Sequence, residues 1–220
     1  FLDLQGRLIT CEMGTRRVVR AESNGTTTVL ADRHEGKRLN SPNDAVVKSD
    51  GTIWFTDPDY GIIASMVGTE IPKEQAGNYV YRLDIHSNEL AVVANDFDKP
   101  NGLAFSPDES LLYIADSGRT HGEDKPHHIR VFDVVNNRHL ENDRVFAIIE
   151  PYIPDGLRVA PNGDVFTSAG DGIQIFNPDG RLIGKFLTPE IAANICFGGP
   201  HKNTAFICAT SSVWAICLRI

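Results

Sequence analysis

A chain of 220 residues can build one substantial domain, and 41% hydrophobic with 23% charged residues is an ordinary globular composition. The formal net charge is −8 and no basic cluster stands out, which argues against a nucleic-acid partner, since phosphate binding needs concentrated positive charge. No stretch reaches the roughly 18 unbroken apolar residues of a membrane helix, so no membrane partner is expected.

In chain order, the sequence opens on Phe1-Leu2-Asp3-Leu4-Gln5-Gly6-Arg7, without Met or a signal-peptide pattern, and reads as if it starts inside a domain. A short strand follows at Leu8-Ile9-Thr10-Cys11. Ser41-Pro42-Asn43-Asp44 then leads into a strand at Ala45-Val46-Val47. Ser49-Asp50-Gly51 makes a turn, Thr52-Ile53-Trp54-Phe55-Thr56 a second strand, Tyr79 to Leu83 a third and Leu90 to Val93 a fourth. Asp59-Tyr60-Gly61 opens a long loop, 62–77, of the length used for lids and binding loops. The layout repeats from Lys99-Pro100-Asn101-Gly102, with a turn at Ser106-Pro107-Asp108 and strands at Leu111 to Ile114, Ile129 to Asp133 and Val145 to Ile148. It repeats again from Ile153-Pro154-Asp155-Gly156, with a turn at Pro161-Asn162-Gly163 and strands at Asp164 to Thr167 and Ile173 to Phe176. A weaker fourth instance begins at Asn194. One helical turn is expected, at 189–193, and the segment 204–220 reads as two short strands.

Four short antiparallel strands per unit, recurring roughly every 40–58 residues, are the mark of propeller blades. A two-sheet sandwich competes, but gives no reason for a polar residue at the same place in successive units. Asn43, Asn101 and Asp155 hold that place, where the first strand of each unit starts. As turn formers they need no further role; three in register point to a site. Carboxamide and carboxylate oxygens suit a hard cation such as Ca2+ or Mg2+.

The motifs Ser41-Pro42-Asn43-Asp44, Asp50-Gly51-Thr52-Ile53-Trp54-Phe55-Thr56-Asp57-Pro58, Lys99 to Asp108, Pro154-Asp155-Gly156-Leu157 and Phe197-Gly198-Gly199 together resemble the gluconolactonase, senescence-marker (regucalcin) and luciferin-regenerating family, closest to its bacterial gluconolactonases. The resemblance covers essentially the whole chain. It implies an all-β six-bladed propeller, here a single domain over 1–220 with about five blades and without the N-terminal blade segment. It implies one divalent cation, Ca2+ first, with Mg2+, Zn2+ or Mn2+ as substitutes. Asn101 and Asp155 match metal ligands, Asp155 also the proton acceptor, and Asn43 a substrate contact. The family's third ligand is a Glu in a Glu-Gly-Pro segment, expected upstream of Phe1; Glu12 follows a strand and does not match. Ser41 stands where regucalcin has an Arg, which favours the gluconolactonase branch.

The implied activity is metal-dependent hydrolysis of a sugar lactone. The alternatives are a hydrolase of other lactones or phosphotriesters, and a non-enzymatic propeller that binds calcium or protein. Without a Gly-x-Ser-x-Gly elbow, a serine nucleophile is not indicated. Asp57 and Asp116 each end a second strand; Asp57 is the second catalytic candidate and Tyr60 a substrate-contact candidate. His121, His127 and His128 read as parts of a solvated connection, and His201 as a turn residue. Cys11, Cys196, Cys208 and Cys217 form no Cys-x-x-Cys pair and are expected as buried free thiols. The partner is a small lactone and the chain a monomer or weak homo-oligomer. The compartment is not legible; the cytoplasm is favoured over the periplasm.

Overall fold

The computed structural model describes residues 1–63 and 70–218. Residues 64–69 of the expected loop 62–77, and 219–220 of the expected last strand, lie outside them. Among the described residues the regular structure is strands and two short 3-10 turns, at Tyr60–Ile62 and Gly118–His121. β1 (Ile9–Glu12), β2 (Arg17–Ala21) and β3 (Thr27–Ala31) form the first sheet, followed by a two-residue ribbon, β4 (Arg33–His34) with β5 (Lys37–Arg38). The second sheet is β6 (Ala45–Val47), β7 (Ile53–Asp57), β8 (Asn78–Asp84) and β9 (Glu89–Phe97). The third is β10 (Pro100–Phe105), β11 (Leu111–Asp116), β12 (His128–Val135) and β13 (His139–Ile148). The fourth is β14 (Leu157–Val159), β15 (Val165–Ala169), β16 (Gly172–Phe176) and β17 (Leu182–Leu187). The fifth is β18 (Ala192–Gly198), β19 (Thr204–Ala209) and β20 (Val213–Cys217). Strands neighbour one another in sequence order in every sheet, which is the blade pattern of the expected all-β propeller class.

The hairpins joining first to second strands form where the turn residues predict. The Asp50 carboxylate accepts the Thr52 amide at 2.9 Å and the Thr52 hydroxyl at 2.6 Å, while Gly51 takes φ +85°, a conformation that disfavours a side chain. Asp108 accepts the Ser110 amide at 3.1 Å, and Asn162 Oδ1 accepts the Asp164 amide at 3.2 Å. Each turn closes its own main-chain groups locally, so the flanking strands leave it in a fixed register.

The chain forms two compact units, residues 1–103 with 134–141, and residues 104–133 with 142–220. In the first, Ile9, Val18, Leu39, Ile53, Phe55, Tyr81 and Leu83 pack together. Period-2 alternation puts Ile53, Phe55, Tyr81 and Leu83 on one face of the second sheet, where Ile53 pairs with Leu83 and Phe55 with Tyr81. Phe55 stacks on Tyr81 with ring centroids 5.2 Å apart. In the second unit one buried cluster forms around Tyr113, Ile129, Ile149, Leu157 and Val165 and another around Phe166, Ile173, Ile195 and Ile207. Each such fully buried side chain contributes about 1.5–3 kcal/mol relative to exposure.

Three expectations are corrected. Residues 189–191 are irregular and β18 begins at Ala192, so no helical turn forms: Ile195 and its neighbours are drawn into pairing with β19. Only Cys11 is partly covered, and burial pushes its thiol well up; Cys196, Cys208 and Cys217 are exposed free thiols. On β18 and β19 the buried residues are Ala192, Ile195, Ala205 and Ile207; Cys196 and Cys208 each follow a buried isoleucine, so alternation turns them to the opposite, uncovered face. His128 lies within β12 rather than in the connection before it.

Candidate functional site

In the first unit, Asn43 just before β6, Asp57 at the end of β7 and Tyr60 just after it lie at one end of the second sheet, and Asn101, in β10 of the third sheet, bonds to that end. Asn43 is half-buried and Asn101 is 5% exposed. They meet through Thr56, the last residue but one of β7. The Asn43 amide donates to Thr56 O at 2.9 Å, and the Asp44 amide donates to Thr56 Oγ1 at 3.2 Å. The Thr56 hydroxyl donates to the Asn101 carbonyl at 2.8 Å.

Asp57 is fully buried, and its carboxylate is committed to main chain. Oδ2 accepts the Asn40 amide at 2.7 Å and Oδ1 the Ser41 amide at 2.8 Å. Burial pushes this carboxyl up to about 7, against the pull of those two amides. Ser41 in turn donates to the Pro58 carbonyl at 2.6 Å and accepts the Gly61 amide at 2.8 Å. Asp57 thus holds the segment that delivers Asn43, and Ser41 ties that segment to the turn carrying Tyr60. Tyr60 itself is 7% exposed. Asp59 faces two ammonium groups, Lys99 Nζ at 2.7 Å and Lys73 Nζ at 3.2 Å. Burial works against ionisation there, but the two lysines hold this carboxyl below its ordinary value.

In the second unit, the Asp155 amide donates to Ser168 Oγ at 2.9 Å, and the Ser168 amide donates to the Gly156 carbonyl at 3.0 Å. The side chain of Asp155 is half-buried. The Gly156 amide donates to the Ala193 carbonyl at 2.7 Å, and a Cβ on Gly156 would stand 2.3 Å from Asn194 Cγ. Glycine is therefore required here by the close approach of Asn194, whose Oδ1 accepts the Ile195 amide at 2.8 Å. The Ser117 hydroxyl donates to the Pro154 carbonyl at 2.5 Å, tying the end of β11 to the residue before Asp155. Asp116, 2% exposed, sits opposite His128 in the β11–β12 register. Burial lowers the His128 pKa, opposed by Asp116.

A model of the SMP-30/gluconolactonase/LRE-like region matches residues 1–211. The chain belongs to that family. Over 219 residues the chain is 33% identical to a gluconolactonase of Zymomonas mobilis, covering 94% of this chain and 59% of that protein. It is 27% identical to lactonohydrolase oryL of Aspergillus oryzae, covering 87% of this chain and 45% of that protein. A solved gluconolactonase from Xanthomonas campestris superposes with a TM-score of 0.91 at 37% identity, covering 99% of this chain and 70% of that one. The chain thus spans about three fifths or less of the length of these two curated relatives.

For a member of the SMP-30/gluconolactonase/LRE-like family, the donor chemistry at the strand starts is oxygen only: two carboxamides and one carboxylate. Among the described residues no group of three or more His, Cys, Asp or Glu side chains gathers. Carboxamide and carboxylate oxygens are donors that suit a hard ion such as Ca2+ better than Zn2+. An apolar cavity of about 740 Å3 in the second unit, lined among others by Phe105, Val159, Phe166, Phe197 and Leu218, lies at the other end of the strands. Val159 and Phe105 finish their first strands, whereas Asp155 precedes one, so this cavity is separate from the candidate site. His121 falls in the 3-10 turn at 118–121 and His201 in a turn; His127 lies 3.2 Å from Glu150. Thr56, Ser168 and Ser117 were not legible as site residues, a hydroxyl in a strand of apolar residues being the only trace of the first two; Asn194 was marked only as the polar position of the weaker fourth repeat.

Proposed function

We propose that this chain carries the site of a lactonase that opens a sugar lactone by hydrolysis, as a gluconolactonase does. The observation that supports it most is Asp155: the one acid among the three equivalent strand starts, half-buried, with its main chain held by Ser168. In this reading Asp155 accepts the proton of the attacking water as the water oxygen bonds to the lactone carbonyl carbon. The ring C–O bond then breaks and the proton passes to the ring oxygen, which leaves as a hydroxyl; the product is the open hydroxy acid. Asn43 orients substrate hydroxyls, and Tyr60, 7% exposed, is the further substrate-contact residue. Asp57, with both oxygens on main-chain amides, holds the Asn43 segment instead of taking a proton from water.

Asn101 and Asp155 are the residues that would hold a divalent cation, Ca2+ first. Bound there, such an ion supplies Lewis-acid polarisation of the carbonyl. The test is acid release from glucono-δ-lactone by the purified protein, with Ca2+ and after chelation. Hydrolysis that requires the ion and is lost with Asp155→Asn supports the reading; a protein with no activity on any aldonolactone in Ca2+ overturns it.

A further inference from the structure

We propose that the Thr56 side chain is a positioning group, a clamp that fixes Asn43-Asp44 and Asn101 as one rigid shelf. What the shelf serves rests on the lactonase reading; that the clamp exists rests on geometry alone. Thr56 is fully buried. A hydroxyl has one proton, and here it goes to the Asn101 carbonyl at 2.8 Å, the Asp44 carbonyl being farther at 3.5 Å. Its lone pair accepts the Asp44 amide at 3.2 Å. The Thr56 main chain adds bonds to the same segment, from its amide to the Asp44 carbonyl at 3.0 Å and from the Asn43 amide to its carbonyl at 2.9 Å. The donor and acceptor capacities of one side chain are thus spent on the starts of two different first strands. The angle at which Asn43 and Asn101 leave their strands depends on that oxygen.

The clamp is placed rather than generic. β11 matches β7 as Ile114-Ala115-Asp116 matches Phe55-Thr56-Asp57, yet Ala115 has no hydroxyl. In β15 the same position is Ser168, whose oxygen takes the Asp155 amide. Hydroxyls stand at this position in the two sheets whose first strands follow Asn43 and Asp155 by two residues.

The experiment compares Thr56→Val, which keeps shape and removes the hydroxyl, with Thr56→Ser, which keeps the hydroxyl. Ile53→Val, a core change in the same strand with no bond to either segment, controls for general loosening. Hydrogen exchange at the Asp44 amide should quicken about 10-fold or more in Thr56→Val, return to near wild type in Thr56→Ser and stay unchanged in Ile53→Val. On glucono-δ-lactone, kcat should fall about 10-fold or more in Thr56→Val while KM shifts less, since small misplacements of reacting groups act on rate. Wild-type exchange and kcat in Thr56→Val overturn the clamp, as does an equal loss in Ile53→Val. A wild-type protein without lactonase activity overturns the functional reading alone, and the exchange data still decide the clamp. Should Thr56→Val not fold, the wild-type Thr56 hydroxyl proton decides it: slow exchange and proximity to the Asp44 amide support the clamp, a freely rotating hydroxyl overturns it.

Discussion

The same main-chain device appears in the two units with different side chains on it. In the first, a hydroxyl on β7 holds the start of β6, and the side chain presented is the carboxamide of Asn43. The unit's buried acid, Asp57, stands behind the segment with both oxygens on amides. In the second, Ser168 on β15 holds the start of β14, and the side chain presented is itself the acid, Asp155. The contrast teaches that an acid near a candidate site is not interchangeable with an acid in it. The Asp57 carboxylate, with each oxygen on a main-chain amide, organises its segment; Asp155, held by Ser168 through its main chain rather than its side chain, is the acid proposed to accept the proton.

Substitutions at the two acids should break this comparison most sharply. Asp155→Asn keeps volume and an oxygen donor, so the fold should hold, while lactone hydrolysis falls about 10²–10⁴-fold, the usual worth of a general base. Saturating Ca2+ should not restore the rate. Wild-type turnover in that variant would remove Asp155 from the mechanism. Asp57→Asn should instead cost stability: an amide NH2 would face a main-chain N–H, leaving buried donors unmatched for about 1–3 kcal/mol. Urea unfolding measures it.

The pH dependence sharpens the same point. Burial raises the folded-state pKa of Asp57 to about 7, above the unfolded carboxyl value near 3.8. Its stabilising contribution is therefore full below about pH 4 and is lost as pH rises through 7, because the unfolded chain ionises freely while the folded chain must ionise a covered group. The stability advantage of wild type over Asp57→Asn should shrink between pH 5 and pH 8. A constant or widening difference would show that the two amides outweigh burial.

Gly156→Ala should come next in size. Its Cβ would meet Asn194 Cγ at 2.3 Å, so overpacking of about 1–3 kcal/mol is expected, relieved in the double variant with Asn194→Ala. A strictly additive cycle would refute the close approach. Ser168→Ala should be smallest, about 1 kcal/mol from one lost hydrogen bond, with a rate loss larger than the stability change suggests.

Much of this was readable from residue order. Period-2 runs and Asp/Asn-Gly turns marked most strands of the second, third and fourth sheets, because those signals are local. β17 was missed: Leu182, Ile183 and Leu187 are exposed on an outer strand, so no buried alternation marks it. β2 and β3 were also unmarked, with Thr and Arg diluting their apolar positions. Asn43, Asn101 and Asp155 stood out by repetition, but what holds them did not. Thr56 reaches Asn101 across 45 residues, and the role of Asp57 depends on which amides lie over it, neither of which a local pattern encodes.

The hairpin turns have a consequence for engineering. Within the second and fourth sheets a candidate site residue stands two positions before the first strand, and a turn that closes on its own Asx side chain follows it. Chemistry and folding instructions thus occupy opposite ends of a short strand, only three residues in β6 and β14. Proteins usually trade activity for stability because one residue must serve both. Here the two demands are spatially separable, so the turns at 49–51 and 161–163 can be optimised for stability as independent modules while the rate of the site stays as it is.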